Sequence, residues 1–383
     1  MSTQLPQGFR ASGVAAGIKS SGAKDVALIV NDGPLKFGTA VFTTNQIVAA
    51  PVTWSHQVIR DSEVAAVLLN SGGANACTGP EGFADTHRSA ELVAKLLQVS
   101  ASDVGICSTG LIGMRLPMPA MEVGIGKAVE ALSEAGLKDA AEAVMTTDSH
   151  PKISVHQLEG VRCAGLAKGA GMLAPSLATM LSVIMIDALV DSNVAIEVFQ
   201  EVCDKTFNRI DSDGCTSTND TIFFLASGAS GIELSRESLF TIVEKVASEL
   251  ASSLIADAEG HTKIVSITTR NAKSERDAVE IGRACARNNL LKCALNGEDP
   301  NWGRILAALG TTNAVMNPAT IDVLLNGVMV CRDSAPGEPR ELVDMAGKKI
   351  EIVIDMKVGK ETATILTNDL SAMYVHENSA YAT

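Results

Sequence analysis

The sequence predicts a mixed α/β fold in which helices cover sheets. Apolar runs of strand length alternate with amphipathic helical stretches along the whole chain, the pattern of sheets covered by helices. Hairpin patterns stand at both ends, which argues against a purely parallel, doubly wound sheet. Hydrophobic residues make up 46% of the 383 residues and aromatics only 3%. A large core is therefore available, and it must be built from Ala, Val, Ile, Leu and Met.

Taken in order, residues 24–32 read as a strand, Gly33-Pro34 as a turn and residues 37–43 as the partner strand. Residues 64–70 form a buried strand that runs into a glycine- and amide-rich loop, residues 71–79. Such a loop lets backbone approach something closely, but an ordinary turn is the favoured reading. Residues 83–97 and 117–137 read as helices, with a short strand at 104–108 between them. Residues 161–166 and 180–187 read as strands. The second half alternates helices at 194–210, 237–258 and 275–291 with strands at 221–226 and 263–269. Near the end, residues 321–325 and 328–331 flank Asn326-Gly327, a type I′ hairpin signal. Residues 349–355 and 362–366 close the set as strands.

A net charge of −13 argues against nucleic acid or an anionic membrane surface as partner. None of the eight cysteines forms a CxxC pair or a His/Cys spacing suited to zinc. Reduced, mostly buried thiols in a cytoplasmic protein are expected. The first residues show no charged-then-apolar signal pattern, and no apolar run approaches a membrane span.

The tightest local specification lies in residues 168–187. Lys168-Gly169-Ala170-Gly171 is a glycine-broken loop carrying one lysine. Pro175 stiffens the approach to Thr179, and an apolar run follows to Asp187. The chain holds no G-x-S-x-G elbow, no H-E-x-x-H, no phosphate-binding P-loop and no G-x-G-x-x-G. What remains is hydroxyl chemistry without a histidine base. A threonine can use its own α-amine as base once the preceding peptide bond is cut, because that amine titrates at roughly 7.7–8.0. Small Ala178 would leave the scissile carbonyl accessible. From residues alone the plainer reading leads. A β-branched residue at a strand start is common, and a lone loop lysine is usually solvated.

The stretch from Lys168-Gly169-Ala170-Gly171-Met172 through Ala178-Thr179-Met180-Leu181 resembles the self-cleaving signature of the ornithine acetyltransferase family, the glutamate N-acetyltransferases of arginine biosynthesis. Residues 108–113, 145–148, 257–260, 299–304 and 374–383 resemble that family's other blocks, in its order, so the likeness covers essentially the whole chain. It implies a mixed-sheet α/β sandwich with a smaller C-terminal α/β portion. It implies self-cleavage between Ala178 and Thr179 into segments 1–178 and 179–383, both serving one active site, two copies of each assembling. Thr179 would be the nucleophile, with Thr109 and Gly110 as oxyanion hole. Thr146 (or its neighbour Thr147), Lys168, Thr179, Glu259, Asn378 and Thr383 would bind substrate. The reaction implied is ping-pong acetyl transfer from N-acetylornithine to glutamate, without metal or resident cofactor. Whether acetyl-CoA also serves as donor is left open. The rival reading is a self-processed amidohydrolase or aminopeptidase. A non-catalytic amino-acid sensor is a third, and it would keep its chain uncut. The loop 211–220 and Asn301/Arg304 are expected to be structural.

Overall fold

The computed structural model describes residues 4–173 and 180–380. The chain lays down β1 (Phe9–Val14) and β2 (Val26–Asn31) in one sheet and sends β3 (Phe37–Phe42) into a second. It returns with β4 (Ala66–Asn70) and β5 (Val104–Ser108) to the first sheet. The second is completed by β6 (Lys152–Leu158), β7 (Val161–Lys168), β8 (Leu181–Ile186) and β9 (Thr221–Ala226), in the order β3-β9-β8-β7-β6.

Helices of the same region are α1 (Ala50–Val58), α2 (Gly79–Leu97), α3 (Met118–Glu130), α4 (Leu137–Val144), α5 (Ser192–Lys205) and α6 (Arg236–Ala256). The two sheets stack face to face. Alternate residues of one strand separate the two sides of the second sheet, as a period of two requires. Leu181, Val183 and Met185 of β8 join β1, β2 and β4 side chains in the inter-sheet core. Ile184 and Ile186 face α5 and α6 instead. Both faces are covered, and so β8 reads as an unbroken apolar run. The outer face of the first sheet packs on α2 and α3. The result is a helix–sheet–sheet–helix sandwich.

A third sheet follows, from β10 (Ile264–Ala272), β11 (Asp322–Leu325), β12 (Val328–Arg332), β13 (Ala335–Pro336), β14 (Lys349–Asp355) and β15 (Glu361–Asn368). It packs against α7 (Glu275–Ala286), α8 (Asn289–Asn296) and α9 (Trp302–Leu309). The chain's last described helix is α10 (Ala372–Ala380). The expected sandwich and smaller C-terminal portion are both present. The β11–β12 hairpin turns on Asn326 and Gly327 at φ 46° and 85°, as a type I′ turn demands. Asn301 caps α9, its side chain accepting from the Arg304 amide.

Three expectations need correction. Residues 24–32 and 37–43 are not a hairpin: β2 pairs with β1 and β4, while β3 pairs with β9. The turn after β2 is a crossover between layers, held by Asn31, whose side-chain amide donates to Leu35 O and Ala226 O. The helix expected over 117–137 ends at Glu130, and α4 begins at Leu137. Likewise the helix expected over 275–291 breaks between α7 and α8, where Asn288 caps the second helix.

Candidate active site

Strand β5 delivers the first pair of site residues. Beyond Ser108 the Thr109 amide donates to Asn70 O at 2.9 Å, and Thr109 O accepts from the Gly73 amide at 3.0 Å. Gly110 has φ +130°, and a Cβ there would lie 2.8 Å from Gly73 N. Only glycine fits that backbone against that neighbour. The strand end is held from behind by Asn219, whose amide donates to Ser108 O at 2.9 Å and Ala74 O at 2.6 Å.

Strand β7 ends at Lys168, which is buried. Its ammonium donates to Thr109 Oγ1 at 3.2 Å. Burial pushes the Lys168 pKa down, with Asp148 opposing and Lys152 adding to the fall. Asp148 is the centre of a buried charge lattice. Its Oδ1 accepts from Lys152 Nζ at 2.6 Å and the Gly169 amide at 2.7 Å, and its Oδ2 accepts from the Thr146 amide. Lys152 also bridges to Asp257 at 2.6 Å. Burial alone would raise the Asp148 pKa, but Lys168, Lys152 and the Thr146 amide prevail and hold it at about 2.

Glu259 arrives after α6. Its amide donates to Ala170 O, and its Oε1 accepts from the Thr147 hydroxyl at 2.7 Å. A Cβ on Gly171 would come within 2.6 Å of that carboxylate, so the second glycine of the loop exists to admit Glu259. Gly260, at φ +59°, seats α10: a Cβ there would strike Tyr374 N at 2.3 Å. Asn378 on α10 completes the rim.

Thr109, Gly110, Thr146, Thr147, Lys168, Gly171, Met172, Glu259 and Asn378 together line one cavity of about 190 Å³. That is the space of roughly six waters at about 30 Å³ each. Six of the predicted site residues thus converge from segments far apart in sequence. Ala178, Thr179 and Thr383 lie outside the described residues. Thr147, named only as an alternative to Thr146, makes the side-chain bond to Glu259. Asp148 was missed as a site residue, although Lys152 four positions on was the available signal. A larger cleft of about 940 Å³ lies between α5 and α7, but none of the predicted residues line it. Among the described residues no cluster of three or more His, Cys, Asp or Glu side chains could hold a metal ion. Cys77, Cys215 and Cys293 are exposed and the other five cysteines are buried.

The sequence pattern of the ArgJ family matches residues 10–383. The arginine biosynthesis bifunctional protein ArgJ of Streptomyces avermitilis is 53% identical over 382 residues, covering 100% of both chains. Its counterpart from Thermobifida fusca is 50% identical over 383 residues, again covering 100% of both. A solved ornithine acetyltransferase from Mycobacterium tuberculosis, complexed with ornithine, is 48% identical over 46% of this chain and 98% of its own, with a TM-score of 0.42.

Proposed function

This chain belongs to the ArgJ family of bifunctional arginine-biosynthesis acetyltransferases, and from that premise we propose that it moves an acetyl group from N2-acetyl-L-ornithine to L-glutamate through an ester on Thr179. The observation that carries this reading is the single small cavity where Thr109, Gly110, Thr146, Lys168 and Glu259 meet.

Activation comes first. Thr179 Oγ adds to the Ala178 carbonyl carbon, the C–N bond breaks, and the hydroxyl proton ends on the Thr179 nitrogen. Water then hydrolyses the ester, leaving the Ala178 carboxylate and a threonine with free hydroxyl and free amine. The products are segments 1–178 and 179–383, which stay together and pair as two copies of each. In transfer, the amine takes the hydroxyl proton as Oγ attacks the acetyl carbonyl. Thr109 and Gly110 donate to the oxyanion. Lys168, by donating to Thr109 Oγ1, leaves that hydroxyl's own proton free for the oxyanion. Ornithine leaves with the proton, and glutamate attacks acetyl-Thr179 in the reverse sense. Lys168 faces the substrate carboxylate, Glu259 the side-chain ammonium, and Thr146, Asn378 and Thr383 supply neutral bonds.

No resident cofactor enters the scheme, and acetyl-CoA is proposed as a second donor. The bifunctional names of the relatives favour transfer over a hydrolase or aminopeptidase. Among the described residues no helix is long and apolar enough to cross a membrane, which fits a cytoplasmic enzyme.

Intact-mass measurement of purified protein, coupled to an N-acetylornithine plus glutamate assay, tests the scheme. Two fragments, the second starting at Thr179, are expected, with Thr179→Ala both uncut and inactive. Activity in an intact chain, or acetyl transfer by Thr179→Ala, would defeat it.

A further inference from the structure

The loop 211–220 joins the segment after α5 to β9, and its sequence is almost wholly polar. It touches both edges of the stretch that contains the proposed cut. On one side the Leu173 amide donates to Asp213 Oδ2 at 2.9 Å. Leu173 O accepts from the Ser212 amide and from the Asp213 amide. On the other side the Met180 amide donates to Asp220 Oδ1 at 2.8 Å, and Met180 O accepts from the Thr221 amide at 3.1 Å. Leu173 and Met180 are the last and first described residues flanking 174–179.

We propose that the 211–220 loop is a two-point clamp for self-cleavage, with Asp213 and Asp220 as its positioning residues. The inference rests on the reading of Thr179 as the residue at which the chain cuts itself.

Two further observations give the clamp its precision. The loop is itself immobilised: Arg287 Nε donates to Asp211 Oδ2, Lys292 Nζ to Ser212 O, Ser212 Oγ to Asn368 Oδ1, and Thr43 Oγ1 to Ser217 O. Adjacent residues then tie the two reacting parts to one frame. Asp220 holds Met180, the neighbour of the nucleophile, while Asn219 holds Ser108 O, one residue before the oxyanion pair. Met180, next to the proposed nucleophile, and the strand end before the oxyanion donors are thereby tied to one dipeptide. A displacement of about 1 Å between such groups costs on the order of 10²-fold in rate.

Asp220 acts here as the acceptor of the Met180 amide. It is fully buried, and its Oδ2 has no hydrogen-bond partner among the described residues. Burial also raises its pKa well above the carboxylate range. An asparagine keeps the Oδ1 acceptor, so Asp220→Asn is the conservative variant.

The test follows freshly made full-length chain by intact mass over time, with thermal melting on the same samples. Asp220→Ala and Asp213→Ala are each expected to slow the appearance of the Thr179 fragment on the order of 10²-fold. Asp220→Asn is expected to cut at close to the wild-type rate. Wild-type cutting in both alanine variants would overturn the clamp. Equal slowing in Asp220→Asn and Asp220→Ala would also overturn it, since proton chemistry would then replace positioning. Should Asp220→Ala fail to fold, Asp213→Ala, on the more exposed side of the loop, decides alone. A wild-type chain that stays whole while active would instead defeat the cleavage reading beneath the proposal.

Discussion

Two clefts of this protein make opposite use of charge. The cleft between α5 and α7 is the larger, and charged side chains such as Glu201, Lys205, Arg209, Glu275 and Arg283 line it. Those side chains pair mostly at the surface: the Glu275 partner of Arg209 is 51% exposed, and Glu201 takes Lys205 and Arg236 in the open. The small cavity has buried Lys168 in its wall, and Asp148 and Lys152, also buried, form the charge lattice next to it. Exposed pairs are stable whether or not they do anything. Buried charges are costly, and each must be matched by a partner in good geometry. Burial and directed bonds, more than volume, distinguish the candidate site.

Substitutions sharpen this contrast. The largest effect is expected at Lys152, which bridges Asp148 and Asp257 with no exposed side chain. Lys152→Met should lower unfolding stability by about 3–5 kcal/mol, because two carboxylates lose a buried partner. Urea titration checks it, and a loss below about 1 kcal/mol would place the lattice with ordinary surface pairs. Next comes Thr109→Ala. Removal of one oxyanion donor should reduce kcat on the order of 10²–10³-fold with the melting temperature little changed. Unaltered kcat would take Thr109 out of the oxyanion hole.

An acid titration gives the third measure. The folded pKa of Asp148, about 2, lies below its ordinary value of 3.8. A depressed carboxylate stabilises the fold fully above its unfolded pKa, and that contribution disappears as pH falls through the folded value. About 2 kcal/mol should therefore be lost between about pH 4 and pH 2, and Asp148→Asn should flatten the stability slope in that window. An unchanged slope would refute the depressed value. Glu275→Gln in the open cleft should give the smallest effect, under about 1 kcal/mol and with no change in transfer rate. A marked fall in transfer there would give the large cleft a role that its exposed pairs do not suggest.

Much of the fold was legible because it is local. The Asn326-Gly327 turn and the apolar run of β8 each follow from backbone sterics or side-chain period within a few residues. The break between α7 and α8 was less legible, since Asn288 sits inside a continuous apolar period and only its capping bond reveals it. At the site, Gly110 and Lys168 were marked by the family resemblance, whereas Asp148 looked like one small polar residue among several. The i,i+4 spacing to Lys152 was a sequence signal, but the burial of Lys152 and Lys168 beside it is tertiary.

By itself the sequence determined the class of fold and most strand and helix types, and the family resemblance named the candidate site residues. Tertiary structure decided where they go. It put β2 and β3 into different layers, pairing β2 with β1 and β4 and β3 with β9. It brought Thr147 within 2.7 Å of Glu259 across 112 residues of chain. It also set Asp213 and Asp220 on either side of one segment. Such meetings depend on the packing of whole sheets and helices, and no local propensity encodes them.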